Sequence, residues 1–146
     1  MVEVKTDVWQ AQARLGHGLL RWGGLSMGAG AIMALLGDRF WRGFGSQCAG
    51  WGLIDGIIGW VGLRSARQKA SGPEAQDPAV QAKARTNLRR VLWINAGLDV
   101  GYVAGGVRLA RTKGSTDRFA EGTGWGIAAQ GLFLFFFDLV HALLLG

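Results

Sequence analysis

A chain of 146 residues is one domain at most, with room for about four long helices. It is 49% apolar and carries 25 glycines and seven tryptophans, far from ordinary soluble composition. A net charge of +6 would suit nucleic acid, but the basic residues fall between apolar runs with no basic face or stacking motif, so no nucleic-acid partner is expected; the single cysteine, Cys48, excludes an internal disulfide and a Cys-based zinc site.

The chain opens on "MVEVKTDVWQ", which has neither a basic n-region nor an apolar h-region, so no removable signal peptide is expected. Residues 7–16 read as an interfacial lead-in to a first helix, with Trp9 as its anchor. The first apolar run, 17–37, holds no charge after Arg21. The second, 43–63, contains Asp55 alone among charged residues. A basic polar stretch, 64–90, follows, and its "SGPEAQDP" is a turn by Gly and Pro content. Within it, Asp77–Pro78 reads as a helix N-cap followed by proline at the first helical position. The third helix therefore starts outside the bilayer and enters it as one rod. Its apolar run, 91–110, has Asp99 as its only acid, and the fourth run, 122–145, has Asp138.

Each run approaches the roughly 20 residues that span about 30 Å of hydrocarbon. A soluble four-helix bundle would show a wide polar face opposite each apolar stripe. In "GWGIAAQGLFLFFFDLVHALLLG" no such face exists. The expected fold is all-α: a four-helix transmembrane bundle forming a single integral membrane domain, with the lipid bilayer as its first partner. Lys5, Arg14, Arg64, Arg67, Lys69, Lys83, Arg85, Arg89 and Arg90 would share one side with both termini and the central loop. Arg39, Arg42, Arg108, Arg111, Lys113 and Arg118 would lie on the other. That bias places both termini in the cytoplasm. Trp41 and Trp125 then fall near the outer interface, and Trp60 and Trp93 near the inner one. "GLSMG" and "GLDVG", and two copies of "GWG", recur at similar offsets and suggest a 2+2 tandem repeat.

Glycines four apart notch a helix face and let a neighbouring backbone approach. Gly24 with Gly28, Gly52 with Gly56, and Gly97, Gly101 and Gly105 are the expected packing positions. Three aspartates sit inside these runs, and a carboxylate at membrane depth costs a few kcal/mol unless it faces the bundle interior and finds partners. Helical spacing supplies candidates. Asn95, Asp99 and Tyr102 form a stripe on the third helix; Gln130, Asp138 and His141 lie on the fourth; His17 and Arg21 share a face of the first. Turned inward, these seams would form a buried polar cluster of Asp55, Asp99, Asp138, Arg21, Asn95 and both histidines, with Gln130 and Tyr102 beside it. Three carboxylates against Arg21 leave an excess of negative charge that burial opposes, so a proton, a cation or a protonated histidine is expected to balance it.

Two functions suit such a cluster. One is a proton- or cation-linked transporter or channel component acting as an oligomer. The other is a non-catalytic accessory or scaffold subunit of a larger membrane complex. No nucleophile–base pair is present, so an enzyme is not expected and no catalytic residue is assigned. The Asp138–His141 spacing is workable for a metal but is not the Glu-x-x-His pattern of di-metal bundles, and no metal site is assigned. No cofactor is evident; lipid is the one bound molecule the sequence leaves room for.

The stretches "RFWRGFGSQCAGWGLIDGIIGWVGL", "NAGLDVGYVAGG" and "GTGWGIAAQGLFLFFFDLVHALLL" resemble a family of small, uncharacterised bacterial membrane proteins with four spans. The resemblance covers helices two to four well and helix one weakly. It implies the four-span layout and a multi-pass place in the bacterial cytoplasmic (inner) membrane, and it carries no functional residue.

Overall fold

The computed structural model describes residues 7–146, and Lys5 lies outside them. Four long helices follow one another: α1 (Val8–Leu36), α2 (Arg39–Ala70), α3 (Pro78–Thr112) and α4 (Arg118–Leu144), with a 3₁₀ turn, Lys113–Ser115, between the last two. At 1.5 Å per residue each rod is about 40–50 Å long, more than a hydrocarbon core requires.

Every one of the four begins at an aspartate. Asp7 accepts from the Trp9 N–H at 2.8 Å, Asp38 from Trp41 at 3.1 Å, Asp77 from Ala79 at 2.7 Å and Asp117 from Phe119 at 2.9 Å. Each satisfies a backbone donor that the first turn leaves open, and each places negative charge at the positive end of the helix. Asp77 and Pro78 occupy the cap and first helical positions, so α3 does begin there and runs unbroken to Thr112. The lead-in 7–16 is not separate: α1 is one helix from Val8 onward.

The helices alternate in direction. α1 packs along α2, α2 against α4, and α4 along α3, while α1 meets α3 only briefly. That last meeting is at the end where the chain begins, with Leu15, Leu92, Ala142 and Leu145 buried together. Beside it, Val8, Trp9 and Ala75 form a second small core. Trp9 is therefore not an interfacial anchor. The turn after α2 folds back over the start of α1, burying Trp9 while its indole N–H donates to the Ala75 carbonyl at 3.0 Å.

The α1–α2 seam is built from glycines seven apart. A Cβ on Gly16 would lie 2.7 Å from the Gly59 carbonyl oxygen, on Gly23 2.5 Å from that of Gly52, and on Gly30 2.6 Å from that of Gly45. Backbone meets backbone at all three levels. The α3–α4 seam repeats the device at Gly106 and Gly124, each of whose Cβ atoms would fall 2.5 Å from the other's carbonyl oxygen. These positions correct the expectation of four-residue notches. Gly24, Gly28, Gly97, Gly101 and Gly105 face outward, and a Cβ on any of them meets nothing within 4 Å. Of the expected set only Gly52 is a seam glycine; a Cβ on Gly56 would also meet nothing within 4 Å, although its backbone N faces Gly23.

Small and polar groups point inward, and large apolar ones point outward. Leu25, Leu35, Ile57, Leu98, Phe136 and Leu144 are all exposed. Two helices, α1 and α4, are long and apolar enough to cross a membrane; α2 and α3 do not reach that mark. In α2 the inward glycines, Gln47 and Asp55 lower the hydropathy; in α3 the apolar run itself carries Asn95 and Asp99 and is bounded by Arg90 and Arg108.

Candidate binding cleft

Asp55 of α2, Asp99 of α3 and Asp138 of α4 come together as the spacing predicts. They are 3%, 4% and 7% exposed, and they line one cleft of about 390 Å³. Their charges are close enough to act on one another. Asn95, one turn before Asp99 on α3, hydrogen-bonds Asp138. Oδ2 of Asp55 and Oδ2 of Asp99 are buried with no hydrogen-bond partner. Two unmet acceptors in a low-dielectric interior are an expensive arrangement that calls for an explanation.

The remaining wall is apolar and aromatic. Trp51 stands one turn before Asp55 and meets Tyr102 edge-on, with centroids 5.0 Å apart at 66°. Leu19 of α1 and Leu134 of α4 close the back. Ile54 and Ile58 of α2 and Leu98 and Tyr102 of α3 both line the cleft and reach the outer surface, 41–55% exposed. α2 and α3 are not packed along each other, so the cleft opens sideways between them.

The other expected members lie elsewhere. Arg21 is exposed, about 200° round α1 from both Leu19 and Gly23 at 100° per residue, and cannot serve as the counter-charge. His17, one turn earlier on the same face, is exposed with it. His141 Nδ1 donates to the Phe137 carbonyl at 2.7 Å, and its ring lines a separate hollow with Arg14 and Arg85. Gln130 is buried but belongs to a different knot. It accepts from the Trp22 indole at 3.0 Å and donates to Ser26 Oγ at 3.4 Å, with Trp22 stacked on Phe133. Sharing a helix face with an acid thus brought Asn95 and Tyr102 into the cleft, but not His141, which lies three residues from Asp138.

No basic side chain lines the cleft. Ion pairs among the described residues, Arg39–Asp117 at 3.2 Å and Arg118–Glu121 at 2.6 Å, lie at the opposite end of the bundle from the chain's start. Among the described residues, no three His, Cys, Asp or Glu side chains converge as a metal site. What sequence reasoning passed over is the wall. Ile54 and Ile58 flank Asp55 by one and three residues, and Leu98 adjoins Asp99, so the helical stripe that carried the acids carried these too.

The chain belongs to a family of unknown function, DUF6992, which it matches over residues 18–139. That span includes all three acids. No curated protein and no solved structure matches it.

Proposed function

We propose that this member of a family without assigned function is a four-span membrane protein in which the Asp55–Asp99–Asp138 cleft takes up a proton or cation during transport. The observation that carries the reading is the cleft itself: three buried carboxylates, two with unmet oxygens and none facing a basic side chain. A site so charged calls for a positive partner from outside the fold.

The membrane setting is supported by the outward surface. Leu53, Ile57 and Val61 on α2, and Val91, Ile94 and Val100 on α3, are all about half exposed. A continuous apolar exterior on the two helices with the more polar interiors would aggregate in water and suits lipid. Trp41 and Trp125 near one end, and Trp60 and Trp93 near the other, are also exposed, as an aromatic belt requires. With the basic stretch 64–90 (the end of α2, the turn 71–77 and the start of α3) inside, both termini are cytoplasmic, and the family resemblance points to a bacterial inner membrane.

The test is reconstitution into liposomes carrying an internal pH dye. Wild type should move protons or a cation down an imposed gradient. A chain with Asp55→Asn, Asp99→Asn and Asp138→Asn should move none while keeping its helical content. A folded wild-type chain with no flux above empty liposomes refutes transport.

One observation favours the second reading, an accessory or scaffold subunit. Gly97, Gly101 and Gly105 present a smooth outward notch that nothing in the monomer fills, as do Gly24 and Gly28. A neighbouring helix would fit there. Native mass spectrometry after gentle extraction separates the cases: a stoichiometric companion protein supports the scaffold, and a homo-oligomer supports the transporter.

A further inference from the structure

We infer that the cleft binds a lipophilic organic monocation, an amine or quaternary ammonium carrying an aromatic or branched alkyl group, which enters from the lipid between α2 and α3. This rests on the membrane reading above and names the ligand class of the same site.

The floor sets the sign of the charge. Asp55 and Asp99 are each more than nine-tenths buried, they line the cleft, and each keeps one oxygen without a partner. An ammonium group supplies what those oxygens lack, as donor or as point charge.

The wall sets the kind of cation. A small inorganic ion held in protein needs several oxygens in place of its water shell. Here, no three acidic, His or Cys side chains among the described residues converge in that way. Apart from the three acids and Asn95, the lining is Trp51, Tyr102 and branched aliphatic side chains, whose hydrocarbon offers a bare ion nothing. They offer an organic cation a great deal. The aromatic faces attract a quaternary or alkylated nitrogen, and that attraction strengthens where water is excluded. The aliphatic wall takes its hydrocarbon. A volume of about 390 Å³ is many times that of a bare ion and falls in the range of small-molecule pockets.

The mouth sets the route. Its rim side chains, Ile54, Ile58, Leu98 and Tyr102, are exposed on the outer face of the bundle, where lipid would lie. An amphiphilic cation already partitioned into the membrane reaches the acids through that gap without crossing the glycine seams.

The experiment uses the full chain in detergent, titrated by calorimetry with benzyltrimethylammonium and, separately, with its uncharged isostere neopentylbenzene. The expected result is one cation bound per chain, at least about tenfold tighter than the neutral compound. Asp55→Asn with Asp99→Asn and Asp138→Asn should remove that preference and leave the weak neutral binding unchanged, with helical content as the control. Trp51→Leu should weaken the cation about threefold to tenfold and the neutral compound less. Equal binding of both compounds to wild type overturns the inference, since the cleft would then be a greasy crevice. No binding of the cation by folded wild type overturns it as well. If that failure accompanies acid-dependent flux in liposomes, the ligand class falls and transport stands; if flux is also absent, both fall.

Discussion

Gly23 and Gly24 are adjacent and chemically identical, and the structure assigns them opposite roles. A Cβ on Gly23 would stand 2.5 Å from the Gly52 carbonyl oxygen and 2.7 Å from the Gly56 N, while one on Gly24 would meet nothing within 4 Å. Both groups facing Gly23 are backbone, so neither can swing aside. Ordinary contact begins near 3.4 Å, so Gly23→Ala must part α1 from α2 by about 1 Å at the middle of their seam. Overpacking of this kind costs roughly 1–3 kcal/mol, against about 1 kcal/mol returned by alanine's better helix propensity. The net expectation is a loss of up to about 2 kcal/mol for Gly23→Ala and a gain of up to about 1 kcal/mol for Gly24→Ala, so that Gly23→Ala is the less stable of the two by roughly 1–3 kcal/mol. Thermal unfolding in detergent, followed by circular dichroism, measures both. Equal midpoints for the two variants would refute the seven-residue seam, and a lower midpoint for Gly24→Ala would mean that the four-residue notch packs after all.

Gln130→Ala strips the half-buried Trp22 indole of its acceptor and should cost about 1–2 kcal/mol in the same unfolding assay, without changing cation binding in the cleft. Arg21→Gln should leave flux and midpoint unchanged, because that side chain is exposed; a loss of flux would put it back beside the acids. Asp7 supplies a pH dependence outside the membrane. Partial burial pushes its pKa up, but hydrogen bonds from Gln76, Gln81 and the backbone N–H groups of Trp9 and Gln10 together outweigh it and hold the carboxyl below 3.8. Its contribution is therefore complete above the unfolded value of 3.8 and is lost as pH falls from there through the folded value. Midpoints recorded from pH 6 downward should fall more steeply below 3.8 for wild type than for Asp7→Asn, which keeps the cap but cannot titrate; parallel curves would refute it.

Element type and number were legible because the signals are local. Glycine and proline mark the turn before Asp77, and apolar runs of helical length are interrupted where the chain reverses. The acids could be placed together because a buried carboxylate has few other places to go. Which glycines pack was misread for a geometric reason. Residues four apart rotate about 40° per step and drift off a contact line within two steps, whereas residues seven apart drift only about 20° the other way. Two long helices in continuous contact therefore select the seven-residue set. Gly16, Gly23 and Gly30, and Gly45, Gly52 and Gly59, were visible at that spacing throughout. Arg21 and His17 failed differently. Their common face was right, but nothing local says whether a face turns toward Asp55 or away from it.

The seven aspartates of the chain divide without remainder. Four cap the starts of α1 to α4, where their charge meets open N–H groups at the helix ends. The other three stand inside α2, α3 and α4, away from the helix starts, and share the cleft. An acid kept merely to tie helices together would be expected to end on a donor, as Gln130 ends on Trp22 and Ser26. Asp55 and Asp99 do not, although Trp51 and Tyr102 stand beside them and could have been turned to serve. The two aromatics instead meet each other edge-on, and one oxygen of each acid has no partner within the fold. The missing internal donor separates Asp55 and Asp99 from the Gln130 knot, whose polar atoms are met within the fold, and the proposed uptake of a cation rests on that difference.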